Sequence, residues 1–456
     1  MAKTKLKTAW FCRECGNETP KWEGKCPSCG AWNSLVEERV ATSSSSKSKI
    51  IGVVPKSEPV TVSNIRADHA ERISMPSAEL NRVLGGGLVA GSMVLLGGEP
   101  GIGKSTLVLQ NILAIKSRTI LYVSGEESAS QIKMRADRLG RGSDNVFVVT
   151  ETSLQNIFEH IERLKPGIII IDSIQTIASD ELESAPGSVS QVRECAARLL
   201  TYAKTTATPV IVIGHITKDG TLAGPKVLEH IVDAVLQFEG DSKYMFRILR
   251  AIKNRFGSTN ELGIYEMCRT GLREVANPSE MLISANHGQL SGITLGVTLE
   301  GARPLIVEAQ ALVSTAAYGT PQRTVTGFDT KRLNMLLAVL EKRVGFKLAA
   351  KDVFLNIAGG LRINDPAIDL AVTCAVLSSN IDTPVPSGWI MMGEVGLSGE
   401  LRPVTRPEQR IREAERLGVT DIIVPAGNLK GVDTKSFTAR IHQANRIEDA
   451  MRSMFG

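Results

Sequence analysis

What this chain lacks narrows it first. No apolar run approaches the ~18 residues a membrane span requires, and M-A-K-T-K-L-K-T-A-W passes into cysteines without the apolar core of a secretory leader. Both absences point to a cytoplasmic protein with no membrane partner. A dominant charge is missing too. The 53 Lys and Arg against 48 Asp and Glu leave +5, too mild to argue for or against nucleic acid, so any basic surface must be found locally. Nor is there a disulfide framework: four of seven cysteines lie in the first thirty residues, while Cys195, Cys268 and Cys374 stand singly. That usage fits a reducing compartment, with the single cysteines as core packing. At 456 residues the chain exceeds one typical domain, so two or three are expected.

What is present begins with residues 93–106, M-V-L-L-G-G-E-P-G-I-G-K-S-T. An apolar strand, a Gly-rich turn and a helix start in that order make a phosphate-binding loop, G-x-x-x-x-G-K-[ST], running through Gly98, Glu99, Pro100, Gly101, Ile102, Gly103, Lys104, Ser105 and Thr106. Glycines let backbone N–H groups close on phosphate oxygens, and the helix N-terminus adds partial positive charge. Lys104 would reach the β- and γ-phosphates of ATP, Ser105 would ligate Mg²⁺, and Thr106 is the candidate contact to the α-phosphate. An ordinary turn opening a helix is the plain alternative. The preceding strand and the amphipathic L-V-L-Q-N-I-L-A-I that follows weigh against it.

Two C-x-x-C-G knuckles, Cys12 and Cys15 then Cys26 and Cys29, are spaced for a Cys₄ zinc site, with Gly16 and Gly30 permitting the turns that aim N–H groups at sulfur. A redox pair would need one motif beside a βαβ unit, not two in a short segment. Trp10, Trp22 and Trp32 could cover the metal or stack on a base, and cover is the expected role. Residues 36–62, rich in Ser, Lys and Pro, read as a flexible linker, which would let the zinc module (1–35) move.

From Ser63 to about 275 the pattern is α/β. Apolar runs at 93–96, 120–123, 146–149, 168–171 and 210–213 alternate with helix-period segments at 153–164 and 189–204, predicting a largely parallel sheet with ligands at the strands' carboxyl ends. The run I-I-I-I-D ends on Asp172, placed to hold the magnesium water shell. Ser173 follows where many ATPases carry a glutamate, so the water-orienting base must come from elsewhere. Glu126, at the end of I-L-Y-V-S-G-E-E, is the first candidate and Glu127 its rival; either could instead be a helix-start charge.

A glutamate after the second strand resembles the RecA-like ATPases and related helicases. That resemblance makes His215, ending V-I-V-I-G-H, a polar sensor between γ-phosphate and a DNA-facing loop; alone it would be a strand-end cap. The loop after it, T-K-D-G-T-L-A-G-P-K, reads as mobile and pore-facing. With K-N-R-F-G at 253–257 beside the zinc module and phosphate loop, nearly the whole chain resembles the bacterial RadA (Sms) DNA repair family. The resemblance implies that Lys253 and Arg255 sit at a subunit boundary near the neighbour's nucleotide.

Residues 276–456 resemble the proteolytic domain of Lon, through R-I-N-D-P-A-I-D-L-A-V and M-G-E-V-G-L-S-G-E-L-R-P-V. Ala367 stands where that family has its serine and Glu408 where it has its lysine, and Thr373 and Ser378 miss the motif position. A Ser–Lys dyad is therefore absent and the domain reads as a scaffold. Lys331, Arg332, Lys342, Arg343, Lys347 and Lys351 are candidate phosphate contacts; Arg402, Arg406, Arg410, Arg412 and Arg416 read as an ordinary charged face. The resemblance implies a DNA-dependent ATPase with bound Zn²⁺, forming a hexameric ring on single-stranded and branched DNA beside a RecA-type recombinase, and driving branch migration. A Lon-type protease or remodelling ring, and a RecA-like signalling ATPase that binds only protein, are the competing readings.

Overall fold

The computed structural model describes residues 6–14, 16–41, 61, 72–140, 142–214, 227–240, 246–275, 277–283, 290–316, 319–360 and 362–455. They fall into two units, Met1–Glu274 and Val275–Gly456.

The first unit opens with a three-stranded antiparallel ribbon, β1 (Leu6–Cys12), β2 (Glu18–Thr19) and β3 (Leu35–Ala41), ordered β2-β1-β3. Residues 36–41, expected in the linker, instead pair along β1 from Phe11↔Val36 to Leu6↔Ala41. The reason is local: L-V-E-E-R-V still carries β-branched residues, and the Ser-rich composition starts only beyond it. The remaining linker positions, apart from Thr61, lie outside the described residues.

The apolar runs become neighbouring strands because a strand covered on both faces needs no polar alternation. These are β4 (Met93–Gly98), β5 (Ile120–Ser124), β6 (Val146–Thr150), β7 (Ile168–Asp172) and β8 (Val210–Ile213). Helices α1 (Lys104–Ile112), α2 (Ala129–Arg138), α3 (Leu154–Leu164) and α4 (Val189–Thr206) wind between them. After the short helix α5 (Val227–Ile231), strands β9 (Ala234–Glu239), β10 (Phe246–Asn254), β11 (Leu262–Cys268) and β12 (Gly271–Glu274) extend the sheet. Among the described residues its order is β12-β11-β10-β9-β4-β8-β7-β5-β6, parallel from β9 to β6 and antiparallel beyond β9. In β7 the period of two divides the side chains. Ile168 and Ile170 join Leu107, Val108 and Ile112 of α1 in one core, while Ile169 and Ile171 join Ile157, Val192 and Leu199 of α3 and α4 in the other. The predicted parallel α/β sheet is therefore present, with the phosphate-loop strand β4 inside it.

The ribbon is bonded to this body rather than loose. The Glu38 carboxylate accepts from Val189 N at 3.1 Å and from the Ser190 hydroxyl, an anion seated on the start of α4, and Arg193 donates to Gly16 O at 3.0 Å.

The second unit is built on β13 (Ile293–Glu300), β14 (Arg303–Thr315), β15 (Arg323–Thr326), β16 (Lys351–Ile357), β17 (Trp389–Met391), β18 (Asp421–Pro425) and β19 (Arg440–Ala444). Their order is β15-β16-β14-β13-β17-β18-β19. Its longer helices are α6 (Thr330–Val339), the nearly all-buried α7 (Asp369–Ile381), α8 (Pro407–Arg416) and α9 (Ile447–Phe455). Among the described residues no helix is long and apolar enough to cross a membrane.

Candidate functional site

Three strand ends bring the first unit's acids and its buried lysine together. β4 ends at Gly98, where a Cβ would lie 2.7 Å from Phe238 O, so only glycine lets β9 pack this close. The turn then opens α1 on Gly103, whose φ of +112° again suits glycine. No side chain caps that helix start and no acid lies in its first turn, leaving its N–H groups available to an anion. Lys104, 4% exposed, folds back and donates from Nζ to Gly98 O at 2.8 Å and Glu99 O at 2.9 Å. Burial lowers its pKa to about 8, against the opposing pull of Asp172 and Glu126. Glu99, Pro100 and Gly101 are exposed and Ile102 is buried, while Ser105 and Thr106 are half-buried on the first turn of α1.

Asp172 ends β7, paired in register with Ser124 at the end of β5. It is 7% exposed and accepts from the Tyr122 hydroxyl. Glu126 is exposed two residues past β5, and its Oε1 accepts from Ser173 Oγ at 2.5 Å. Glu127 turns elsewhere: its carboxylate pairs with Arg135 of α2 and its N–H donates to Ser124 Oγ at 2.9 Å. Tyr122 and Ser173 were not singled out as site residues from sequence. The available signal was a phenol inside an otherwise apolar strand end.

Lys253 and Arg255 do not join this group. β10 runs antiparallel to β9, so Lys253 stands opposite Val235, itself level with Leu95, at the end of the sheet away from Gly98. Lys253 Nζ donates to Glu229 O at 2.6 Å and Val232 O at 2.8 Å, closing the end of α5; burial, then Arg255, lowers its pKa. Arg255 pairs at 3.4 Å with Asp233, a buried carboxylate that also accepts from Met93 N and Lys204. His215 and the loop after it lie outside the described residues.

In the ribbon, Cys12, Cys26 and Cys29 place their sulfurs within 4.8 Å of one another, with Cys12 and Cys29 at 3.7 Å. Tetrahedral ligands with Zn–S near 2.3 Å are separated by about 3.8 Å, so the thiolates fit zinc. Cys15 lies outside the described residues. The knuckles repeat one backbone pattern, Gly16 N to Cys12 O at 2.8 Å and Gly30 N to Cys26 O at 2.9 Å, both glycines at positive φ. Expected metal cover is corrected for two tryptophans: Trp10 packs on the Cys12, Cys26 and Leu35 cluster, but Trp22 and Trp32 are 52% and 73% exposed. The ring of Trp32 instead lies under Lys25 Nζ at 5.7 Å.

In the second unit Ala367 is fully buried among Ile390, Ile411 and Val424, and Glu408 is exposed. Thr373 and Ser378 are buried in α7, Ser378 donating to Thr383 O at 2.5 Å. Two predicted surface cations are corrected. Arg410 is wholly buried, donating to Val297 O at 2.7 Å and Thr405 O at 2.8 Å and pairing with Asp365 at 2.7 Å. Arg332 pairs with the buried Asp369. Arg410 shares its helix face with Ile411 and Ala414, so the apolar stripe carries it inward. Lys331, Lys342, Arg343 and Lys347 remain exposed.

Three stretches of the chain match known families. Residues 10–37 match the rubredoxin metal binding domain, 59–221 the AAA domain and 309–428 subunit ChlI of Mg-chelatase. The chain is 48% identical to the DNA repair protein RadA of Bacillus subtilis, covering 100% of both chains, and 47% identical to that of Halalkalibacterium halodurans, covering 99% of both. It is 48% identical to that of Listeria monocytogenes, over 94% of each. End-to-end identity at this level leaves one conclusion: the chain belongs to the family of DNA repair proteins named RadA.

Proposed function

We propose that this protein is a DNA-dependent ATPase of homologous recombination and repair, a ring-shaped motor on single-stranded DNA that promotes branch migration. The observation that carries the catalytic part is the meeting of Lys104, Asp172 and Glu126 past the carboxyl ends of β4, β7 and β5, beside an uncapped helix start. There the β- and γ-phosphates of ATP would take over Lys104 from the loop carbonyls, and Gly98 to Thr106 would wrap the phosphate chain. Ser105 and Asp172 offer the hard oxygens that suit magnesium, which when bound neutralises charge on the phosphates. Glu126 orients the attacking water. Its rival Glu127 already pairs with Arg135.

Lys253 and Arg255 lie at the far end of the sheet from their own phosphate loop, which supports a role at the neighbouring subunit's γ-phosphate in a hexamer. There they would stabilise transition-state charge in trans, exchanging the α5 carbonyls for phosphate. His215 and its loop would carry nucleotide state to the DNA. In this reading the zinc ribbon meets a partner, a RecA-type recombinase or DNA, and the second unit is an inactive protease scaffold whose exposed lysines and Arg343 contact DNA phosphates.

ATP hydrolysis with and without single-stranded DNA tests the whole. Stimulation is expected, and its absence favours a protein-directed ATPase. Lys253→Ala should bind ATP yet lose stimulated hydrolysis, and mixing it with Lys104→Ala subunits should recover turnover. Mixed rings, verified by labelled subunits, that hydrolyse no faster than either variant would end the shared-site mechanism.

A further inference from the structure

The ends of β5 and β7 are joined more tightly than adjacent strands need to be. Past the last register pair, Gly125 N donates to Asp172 O at 2.9 Å. A Cβ on Gly125 would overlap Thr176 Oγ1, which in turn donates to Ser173 O at 2.8 Å. The backbone of one turn thus packs on the Thr176 side chain of the other, and beside that contact lies a side-chain bond: Ser173, wholly buried, donates from Oγ to Glu126 Oε1. Each acid of the cluster has its own partner, Tyr122 for Asp172, Arg135 for Glu127 and Ser173 for Glu126.

We propose that Ser173 is a positioning residue that fixes the Glu126 carboxylate relative to Asp172. It is the residue immediately after Asp172, so one short side chain ties the water-orienting acid to the backbone that carries the magnesium-side acid. Glu126 is exposed, and an exposed glutamate samples several rotamers. A 2.5 Å bond from a buried hydroxyl selects among them. This accounts for a serine where many ATPases carry a glutamate beside the aspartate. In this chain the acid stands just past the adjacent strand β5 instead, and the residue beside the aspartate supplies the hydrogen bond that aims it. A hydroxyl donor suits this better than a guanidinium, because it orients the carboxylate without a full opposing charge that would weaken it as a base.

This inference rests on the assignment of Glu126 above, and the test separates the two. Ser173→Ala is expected to lower kcat about tenfold while KM for ATP and the melting temperature stay near wild type. Ser173→Thr, which keeps the hydroxyl, should regain most of the loss. In the Glu126→Gln background, Ser173→Ala should cost nothing further, since there is no carboxylate left to aim. Wild-type kcat in Ser173→Ala, or equal losses in both backgrounds, overturns the positioning role. Wild-type hydrolysis by Glu126→Gln itself would instead remove the assignment beneath it.

Discussion

Lys104 and Arg410 are both cations taken out of water, one in each unit, and they are held in opposite ways. The hydrogen bonds of Lys104 to Gly98 and Glu99 reach back only five or six residues within its own loop. Arg410 bonds or pairs with Thr405, Asp365 and Val297, the last 113 residues away. A charge bonded to its own loop can exchange those carbonyls for a ligand without disturbing the fold. One that ties distant segments cannot move. Burial is common to both cations; what differs is that Arg410 bonds across to Val297 and Asp365, whereas Lys104 bonds Gly98 and Glu99 of its own loop.

The largest expected effects break this contrast if it is wrong. Lys104→Ala should lower ATP hydrolysis by about a hundredfold or more while leaving the melting temperature near wild type, because its charge acts on phosphate. Arg410→Ala should do the reverse, destabilising the second unit by about 3–5 kcal/mol through the stranded Asp365 carboxylate. Denaturant unfolding beside ATPase rates measures both. A Lys104→Ala protein that fails to fold, or an Arg410→Ala protein as stable as wild type, would abolish the distinction.

Local signals were legible in the sequence and long-range ones were not. The phosphate loop, the knuckles and the doubly covered strands are written in consecutive residues, because each depends on a turn or on a run. Ser173 and Glu126 are 47 residues apart and Tyr122 and Asp172 are 50, and their meeting depends on β7 lying beside β5, which no local pattern states. Arg410 stands in R-P-E-Q-R-I-R-E-A-E-R, a segment so charged that one inward arginine is hidden among the outward ones. Composition also overreached at 36–41, where strand pairing prevailed over nearby low complexity.

Ala367→Ser sharpens the comparison from the second unit's side. It restores one member of a Lon-like dyad at a fully buried site among Ile390, Ile411 and Val424. A hydroxyl there is expected to cost about 1–3 kcal/mol of stability and to confer no cleavage of unfolded substrates, since Glu408 cannot act as the lysine would. Peptide release from a denatured protein would show that the site kept catalytic machinery after all.

Asp421 gives the smallest effect and an intermediate case, a buried carboxylate whose partner Arg440 is largely exposed. Burial would raise its pKa, but hydrogen bonds from Arg440, His442 and Thr420, each 2.8 Å, outweigh it and hold the carboxyl at about 2. A folded pKa below the unfolded value of about 3.9 means the contribution is complete above that value and is lost as pH falls towards 2. The wild-type melting temperature of the second unit should therefore fall more steeply between about pH 5 and pH 2 than that of Asp421→Asn, which has no carboxylate to protonate. Parallel curves would mean that Arg440, free to turn into solvent, gives the pair no net strength.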